Sequence, residues 1–199
     1  AICRAERKEQ KILSLANKAN PHTHVSTIFK DKNGILWLGL YKDGILTCDP
    51  STEKITRIEL EDKKADICCF YEENNKIWIG TQNGLYSYQN GKIAEEKGIN
   101  EQLTDIMIHG IQRDRQGKLW LGTFGKGLIV FSPEGKRTMR FDTSNGMGSN
   151  AVNSLYIDSK GSLWAATRAG IAHISDTSNP KLEIYNHNQG LIDENVRSI

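Results

Sequence analysis

Apolar and polar residues alternate through Val25-Ser26-Thr27-Ile28-Phe29-Lys30, and Asp31-Lys32-Asn33-Gly34 then breaks the pattern. The next run, Ile35 to Gly39, is apolar on both faces and is closed by polar Tyr41-Lys42-Asp43-Gly44. Ile45 to Cys48 forms a third run, ended by Asp49-Pro50-Ser51, and Ile55-Thr56-Arg57-Ile58-Glu59-Leu60 alternates again. Short period-two runs separated by Gly, Asn, Asp and Pro predict four strands joined by tight turns, and no stretch of helical period competes. The second run, apolar on both sides, reads as an interior strand covered by neighbours.

The same pattern returns along the chain. Trp37, Trp78, Trp120 and Trp164 are all its tryptophans, and they stand 41, 42 and 44 residues apart. Their surroundings read Ile35-Leu36-Trp37-Leu38-Gly39, Ile77-Trp78-Ile79-Gly80-Thr81, Leu119-Trp120-Leu121-Gly122-Thr123 and Leu163-Trp164-Ala165-Ala166-Thr167. Six residues before each Trp stands an acid: Asp31, Glu72, Asp114 or Asp158. Three before it stands Gly34, Asn75, Gly117 or Gly161, residue types that tolerate positive φ. A Gly followed by Ile or Leu comes soon after, at Gly44, Gly84, Gly127 and Gly170.

A repeat of this length with four strands per copy predicts an all-β fold, a β-propeller of four-stranded antiparallel blades. Trp and the small residue two places on share a face. The small residue leaves room for a neighbour's side chain. Each acid is expected to accept backbone N–H bonds in its hairpin turn. The alternatives for these acids, a calcium ring or paired catalytic carboxylates, fit poorly with positions that recur symmetrically.

The blades are expected at about 21–62, 63–103, 104–148 and 149–190, with a partial blade at 1–20 and the first strand of a further blade at 191–199. Ala1-Ile2-Cys3-Arg4 matches Gly44-Ile45-Leu46-Thr47, and Gly190 to Ile199 echoes Gly146 to Leu155. The chain therefore reads as an excerpt of a longer propeller, a fragment of about four blades with partial blades at both ends, its strand edges open to association.

Composition narrows the function. There are 26 basic and 24 acidic residues for a net charge of +2, well mixed, which points away from nucleic acid. No apolar stretch approaches the ~18–20 residues of a membrane span. Cys3, Cys48, Cys68 and Cys69 form no Cys-x-x-Cys pair and read as small core hydrophobes, the last two at positions holding Ile and Leu in other repeats. His22 and His24 share one face of an extended segment, half of a zinc site without a third ligand, so no metal is expected. His109, His173 and His187 read as surface or edge residues. Gly125-Lys126-Gly127 lacks the following helix that would hold an anion and reads as a strand-connecting turn.

The composite motif, acid-x-x-Gly-x-apolar-Trp-apolar-Gly-Thr followed by Gly-Leu, resembles the two-component regulator propeller repeat. The resemblance covers essentially the whole chain; Asn75 for Gly, Leu40 for Thr and Ala165-Ala166 are its departures. It implies the periplasmic sensor region of a hybrid two-component protein, anchored in the inner membrane outside these residues. In such proteins two propellers, a β-sandwich and a membrane helix precede kinase, receiver and DNA-binding modules. The implied role is non-catalytic, with no cofactor: binding an oligosaccharide signal or relaying it to a kinase and transcriptional output, with neighbouring blades, a second sensor propeller or a homodimer copy as partners.

The loop after each Trp strand is the variable part of the repeat. It places Tyr41, Lys42, Gln82, Asn83, Phe124, Lys126 and Arg168 on one rim, with His22 and His24 close by. Aromatics that stack on sugar rings, flanked by polar groups, are the materials of a glycan site, and loops on a rigid scaffold are where function concentrates. The three basic residues favour an acidic sugar. An ordinary solvated rim has the same composition. Two other functions fit the fold: a propeller lyase of the streptogramin-cleaving kind, and a purely structural interaction propeller. The lyase needs one unrepeated acid/base cluster, and the sequence displays none.

Overall fold

The computed structural model describes residues 24–199 apart from 63, 64 and 104. Cys3, His22 and the partial blade expected over 1–20 lie outside the described residues. Among the described residues the alternating and apolar runs become sixteen strands in four antiparallel sheets. Blade one is β1 (Val25–Lys30), β2 (Leu36–Leu40), β3 (Ile45–Cys48) and β4 (Ile55–Ile58). Blade two is β5 (Ile67–Glu73), β6 (Lys76–Thr81), β7 (Gly84–Gln89) and β8 (Lys92–Glu95), followed by one helical turn, α1 (Lys97–Asn100). Blade three is β9 (Met107–Arg113), β10 (Leu119–Phe124), β11 (Gly127–Phe131) and β12 (Arg137–Phe141). Blade four is β13 (Val152–Ile157), β14 (Leu163–Thr167), β15 (Gly170–Ile174) and β16 (Leu182–Tyr185). Within every sheet the strands follow chain order, and successive inner strands β1, β5, β9 and β13 pack side by side.

Each tryptophan lies on the second strand of its blade, where the all-apolar run predicts an interior strand. In blades one to three its face meets the following blade, while Trp164 in blade four stacks on His173 of its own blade. Trp37 sits 6.0 Å from Phe70 and 5.1 Å from Tyr88 of blade two, ring centre to ring centre. Trp120 is buried with Val152 and Leu155 of blade four. The small residue two places on does what its size allows: a Cβ on Gly39 would stand 2.6 Å from Ile67 of the next blade, and one on Gly122 2.7 Å from Val152. Blades are thus locked together by pairing a large ring with a neighbouring gap.

The repeated acid explains the tryptophan's polar edge. Asp31 Oδ1 accepts the N–H groups of Asn33 and Ile35, both at 2.9 Å, and its Oδ2 accepts Trp37 Nε1–H at 3.0 Å. Asp114 does the same for Gln116, Lys118 and Trp120 at 3.0, 2.8 and 2.8 Å. Asp158 repeats it for Lys160, Ser162 and Trp164 at 2.9, 2.9 and 3.1 Å. One carboxylate therefore closes the first hairpin and satisfies the indole next to it. Gly34, Gly117 and Gly161 supply the left-handed residue, with φ between +80° and +93°.

Glu72 does not share that role, which corrects the sequence expectation. Its hairpin is shorter: Glu73 pairs with Lys76 across Asn74-Asn75, whose φ angles of 49° and 62° make a two-residue turn. Glu72 thereby stays in β5, opposite Ile77, and accepts the backbone N–H of Lys32 from blade one at 2.8 Å. Trp78 Nε1 is left buried without a hydrogen-bond partner among the described residues. Lys76 Nζ lies 3.6 Å from the centre of its ring instead, and Arg113 5.4 Å. Trp78→Phe is therefore expected to cost within about 1 kcal/mol of polar stabilisation, whereas Trp120→Phe leaves the buried Asp114 short of a donor, costing about 1–3 kcal/mol. Urea denaturation of the two variants checks this; equal losses would contradict it.

The shorter hairpin also moves the cysteines. Neither Cys68 nor Cys69 holds the place of an Ile or Leu, because β5 has lost one residue of register relative to its tryptophan. Cys68 stands at a bulge, as Ser26, His109 and Asn153 do, and Cys69 falls in line with Thr27, Gly110 and Ser154 rather than with Ile28, Ile111 and Leu155. Burial pushes the Cys68 thiol up to about 12. Cys69 sits in the gap over Gly80, 3.5 Å from the Ile108 carbonyl, and Cys48 is buried in blade one.

Residues 191–199 form no strand, yet 194–199 lie along blade four as the loop before β13 lies along blade three. Gly127 N–H donates to Asn150 O at 2.9 Å, and the equivalent Gly170 N–H donates to Glu194 O at 2.7 Å. Val196 N–H then bonds Thr167 O at 2.9 Å. The preceding turns match as well: Asp142 caps a 3₁₀ turn at Thr143–Asn145 and Asn186 one at His187–Gln189, each ended by a left-handed Gly.

Candidate functional site at the rim

Two sets of equivalent residues meet where the second strands end and the inner strands begin. The first set follows the Trp strand: Tyr41, Gln82, Phe124 and Arg168, each four residues beyond its tryptophan. The backbone holds them there. Tyr41 N–H donates to His24 O at 2.9 Å, Gln82 N–H to Asp66 O at 3.1 Å and Arg168 N–H to Ala151 O at 3.3 Å, while Phe124 pairs with Met107.

The second set comes from a defect that every inner strand carries. The register of β1 on β2 skips Ser26, that of β5 on β6 skips Cys68, β9 on β10 skips His109 and β13 on β14 skips Asn153. A β-bulge inserts one residue against its partner strand and re-aims that side chain. The position is repeated but the residue is not, so here the blades differ chemically while their scaffolds stay alike.

The two sets touch in blade three, and Arg168 of blade four reaches them. The His109 ring stacks on Phe124 with centres 5.5 Å apart and planes 28° apart. The Arg168 guanidinium lies 4.6 Å from the centre of the Phe124 ring, within reach of a cation–π attraction. Phe124 remains 38% exposed, and Arg168 is exposed. Burial, and secondarily the Arg168 charge, hold the His109 imidazole below the usual range of histidine. In blade one Lys42 Nζ sits 4.8 Å from the centre of the half-exposed Tyr41 ring, and Lys42 N–H donates to Asp66 Oδ1 at 3.0 Å.

The expected rim residues do not all converge. Phe124 and Arg168 come together, and Tyr41 and Lys42 form a second pair. Lys126 turns to the outer flank, into a groove with Gln102, Arg137 and Arg140, and its carbonyl accepts Arg140 Nε–H at 2.9 Å. Asn83 is tied to Asp62 at 2.9 Å and lines another cleft with Glu95 and Asn100. His24 is exposed at the head of β1, where its carbonyl holds Tyr41. Gln82 keeps its place at the end of β6. His109 is the residue the sequence reading passed over as an edge histidine. Its signal was an imidazole at a strand position where the other blades carry Ser, Cys and Asn. Reading it required locating the bulge, which alternation alone conceals. Among the described residues no three His, Cys, Asp or Glu side chains converge to hold a metal ion.

Comparison with known proteins agrees with this architecture. Residues 21–42, 102–125 and 146–169 match the model of the two-component regulator propeller, so the chain carries that repeat. It is similar to the extracellular domain of a hybrid two-component system from B. thetaiotaomicron, at 32% identity and a TM-score of 0.75, covering 83% of this chain and 23% of that one. A histidine kinase of Formosa agariphila is 28% identical over 166 residues, covering 74% of this chain and 12% of the kinase. The chain thus spans under a quarter of the length of these relatives. Virginiamycin B lyase of Staphylococcus aureus has the same fold at 18% identity, with a TM-score of 0.66 over 85% of this chain and 58% of the lyase. No described helix is long and apolar enough to cross a membrane.

Proposed function

We propose that this chain, built of two-component regulator propeller repeats, is part of the periplasmic sensor region of a hybrid two-component protein and binds an oligosaccharide at its rim. The segment is non-catalytic: it presents binding groups, and the kinase and transcriptional output belong to other parts of the parent protein. The observation that carries this reading is the meeting of Phe124, His109 and Arg168. An exposed aromatic ring flanked by a guanidinium and an imidazole supplies a stacking shelf with donors beside it, suited to a sugar ring bearing hydroxyl or acidic groups. Tyr41 with Lys42 offers a second, smaller platform of the same composition. The likeness to extracellular domains of two-component systems supports the sensing role.

Calorimetric titration of the protein with a panel of neutral and acidic oligosaccharides tests it. One member of the panel is expected to bind, with Phe124→Ala and Arg168→Ala each weakening it by roughly ten- to a hundredfold, the scale of a lost charge-assisted contact. If both variants bind the cognate sugar as the parent does, the rim is not the site.

A further inference from the structure

We infer that His109 and Arg168 form a proton-linked clamp for an anionic group, a carboxylate or sulfate ester carried by the ligand, with Phe124 as the shelf that holds both. The inference rests on the reading of the rim as the ligand site and specifies what that site selects.

The four bulge residues divide by what their side chains do. Ser26 Oγ–H donates across the blade boundary to Ile67 O at 2.5 Å, and Asn153 Nδ2–H to Val196 O at 2.7 Å. Both stitch an inner strand to the segment beside it. Cys68 Sγ turns to the Asp66 carbonyl at 3.6 Å. The His109 imidazole makes no hydrogen bond among the described residues and stacks on the Phe124 ring. A bulge has therefore aimed an imidazole at the rim and left both nitrogens open. Arg168 is in the same condition: its backbone is tethered to Ala151, and its guanidinium has no acidic partner among the described residues. Two cationic or potentially cationic groups sharing one aromatic ring, without a carboxylate between them, are arranged for an anion from outside.

Among the described residues no carboxylate pairs with either group. On β5, which packs on β9, Cys68 stands at this end as a neutral thiol, while Glu72 and Glu73 lie at the far end. Strand β6 carries Lys76 at its far end, and β7 carries only the phenols Tyr86 and Tyr88. Strand β10 has no titratable group, β13 offers Asn153 here and Tyr156 farther along, and Arg113 on β9 itself is bound to Glu73 at 2.6 Å. Four carboxylates flank the rim. Asp66 accepts Lys42 N–H, Asp193 accepts Asn195 N–H at 2.9 Å, and Glu194, whose segment runs beside Arg168, accepts His187 N–H at 3.2 Å. Asp105 lines the cleft with Asn83 and Asn100 and makes no ion pair with His109 or Arg168 among the described residues.

The linkage has a definite sign. Without ligand, burial and Arg168 keep His109 neutral to lower pH than a free imidazole. An anion bridging the two offsets the Arg168 charge and favours the imidazolium, so the bound-state pKa lies above the free-state value. Binding takes up a proton from solvent. Affinity is weakest above the bound-state pKa, rises as pH falls through it, and levels off below the free-state value.

The test follows the His109 imidazole by NMR through a pH titration, with inorganic sulfate as probe and chloride matching the ionic strength. Sulfate is expected to raise the His109 midpoint by about one pH unit and to bind about tenfold more tightly at low pH than at high pH. Arg168→Gln should abolish the shift, and His109→Gln should leave weaker binding that no longer depends on pH. A His109 midpoint equal in sulfate and chloride, or one that moves only as much as those of His24, His173 and His187, overturns the clamp. The outcomes separate the two readings. A neutral oligosaccharide that binds and is lost in Phe124→Ala, with His109 indifferent to sulfate, sinks the clamp and leaves the sensor site standing.

Discussion

Trp120→Ala is expected to destabilise the protein by about 3–5 kcal/mol, the cost of removing a large ring from a core that cannot collapse around the space. Trp120 is fully buried between blades three and four, against Val152 and Leu155, and its ring lies nearly parallel to Phe141 with centres 6.1 Å apart. Its loss opens a cavity at a blade boundary. It also removes the 2.8 Å donor to Asp114, itself buried at 7% exposure. The comparison that gives the result meaning is Trp164→Ala. Trp164 holds the same place in its repeat and bonds Asp158, but it is only partly buried and stacks on His173 at 3.9 Å. Its deletion should cost clearly less, because less apolar surface returns to water. Guanidinium denaturation followed by circular dichroism decides the matter. Equal losses for the two variants would mean that burial between blades is not what the repeated tryptophan supplies.

Gly127→Ala is expected to cost about 2–4 kcal/mol, from left-handed strain and overpacking acting together. Gly127 has φ +75°, and a Cβ placed there would stand 2.0 Å from the Phe141 carbonyl oxygen. Backbone cannot rotate away as a side chain can, so β11 and β12 must separate. The 2.9 Å bond from Gly127 N–H to Asn150 O, which ties blade three to the start of blade four, would be displaced with them. Gly125→Ala is the matched control. Gly125 also has positive φ, at +108°, but nothing lies within 4 Å of its virtual Cβ, so only the backbone term of about 1–2 kcal/mol applies. Denaturation midpoints that fall equally for both would show that the close approach at Gly127 is relieved at no cost.

The repeat itself was legible because it is local. Alternation, the apolar run around each tryptophan and the acid-x-x-Gly turn are set by a handful of neighbouring residues, and they determined four sheets, the strand bearing each tryptophan and the small residue facing the next blade. Asp31, Asp114 and Asp158 were legible for the same reason, since a side chain two to four residues from its N–H partners closes its turn whatever lies beyond.

Where the reading failed, one residue of register decided. Glu72 lost the capping role and Cys69 the place held by Ile28, Ile111 and Leu155 because Asn74-Asn75 makes a turn shorter than the others, and with period two a single residue exchanges the two faces of a strand. Spacing from the tryptophan was the wrong ruler there. His109 was hidden for a related reason: a bulge breaks the alternation from which facing is inferred, and its place appears only once two strands are paired. The rim required more still. Tyr41, Gln82, Phe124 and Arg168 were identifiable as equivalent loop positions. Whether Arg168 reaches Phe124, or Lys126 turns to the outer flank with Arg140, depends on the twist and packing of blades about forty residues apart in sequence. The sequence by itself therefore determined the scaffold and the materials of the rim. The tertiary structure decided which of them meet, because contacts between blades are set by how the sheets pack and not by the residues next to each other in the chain.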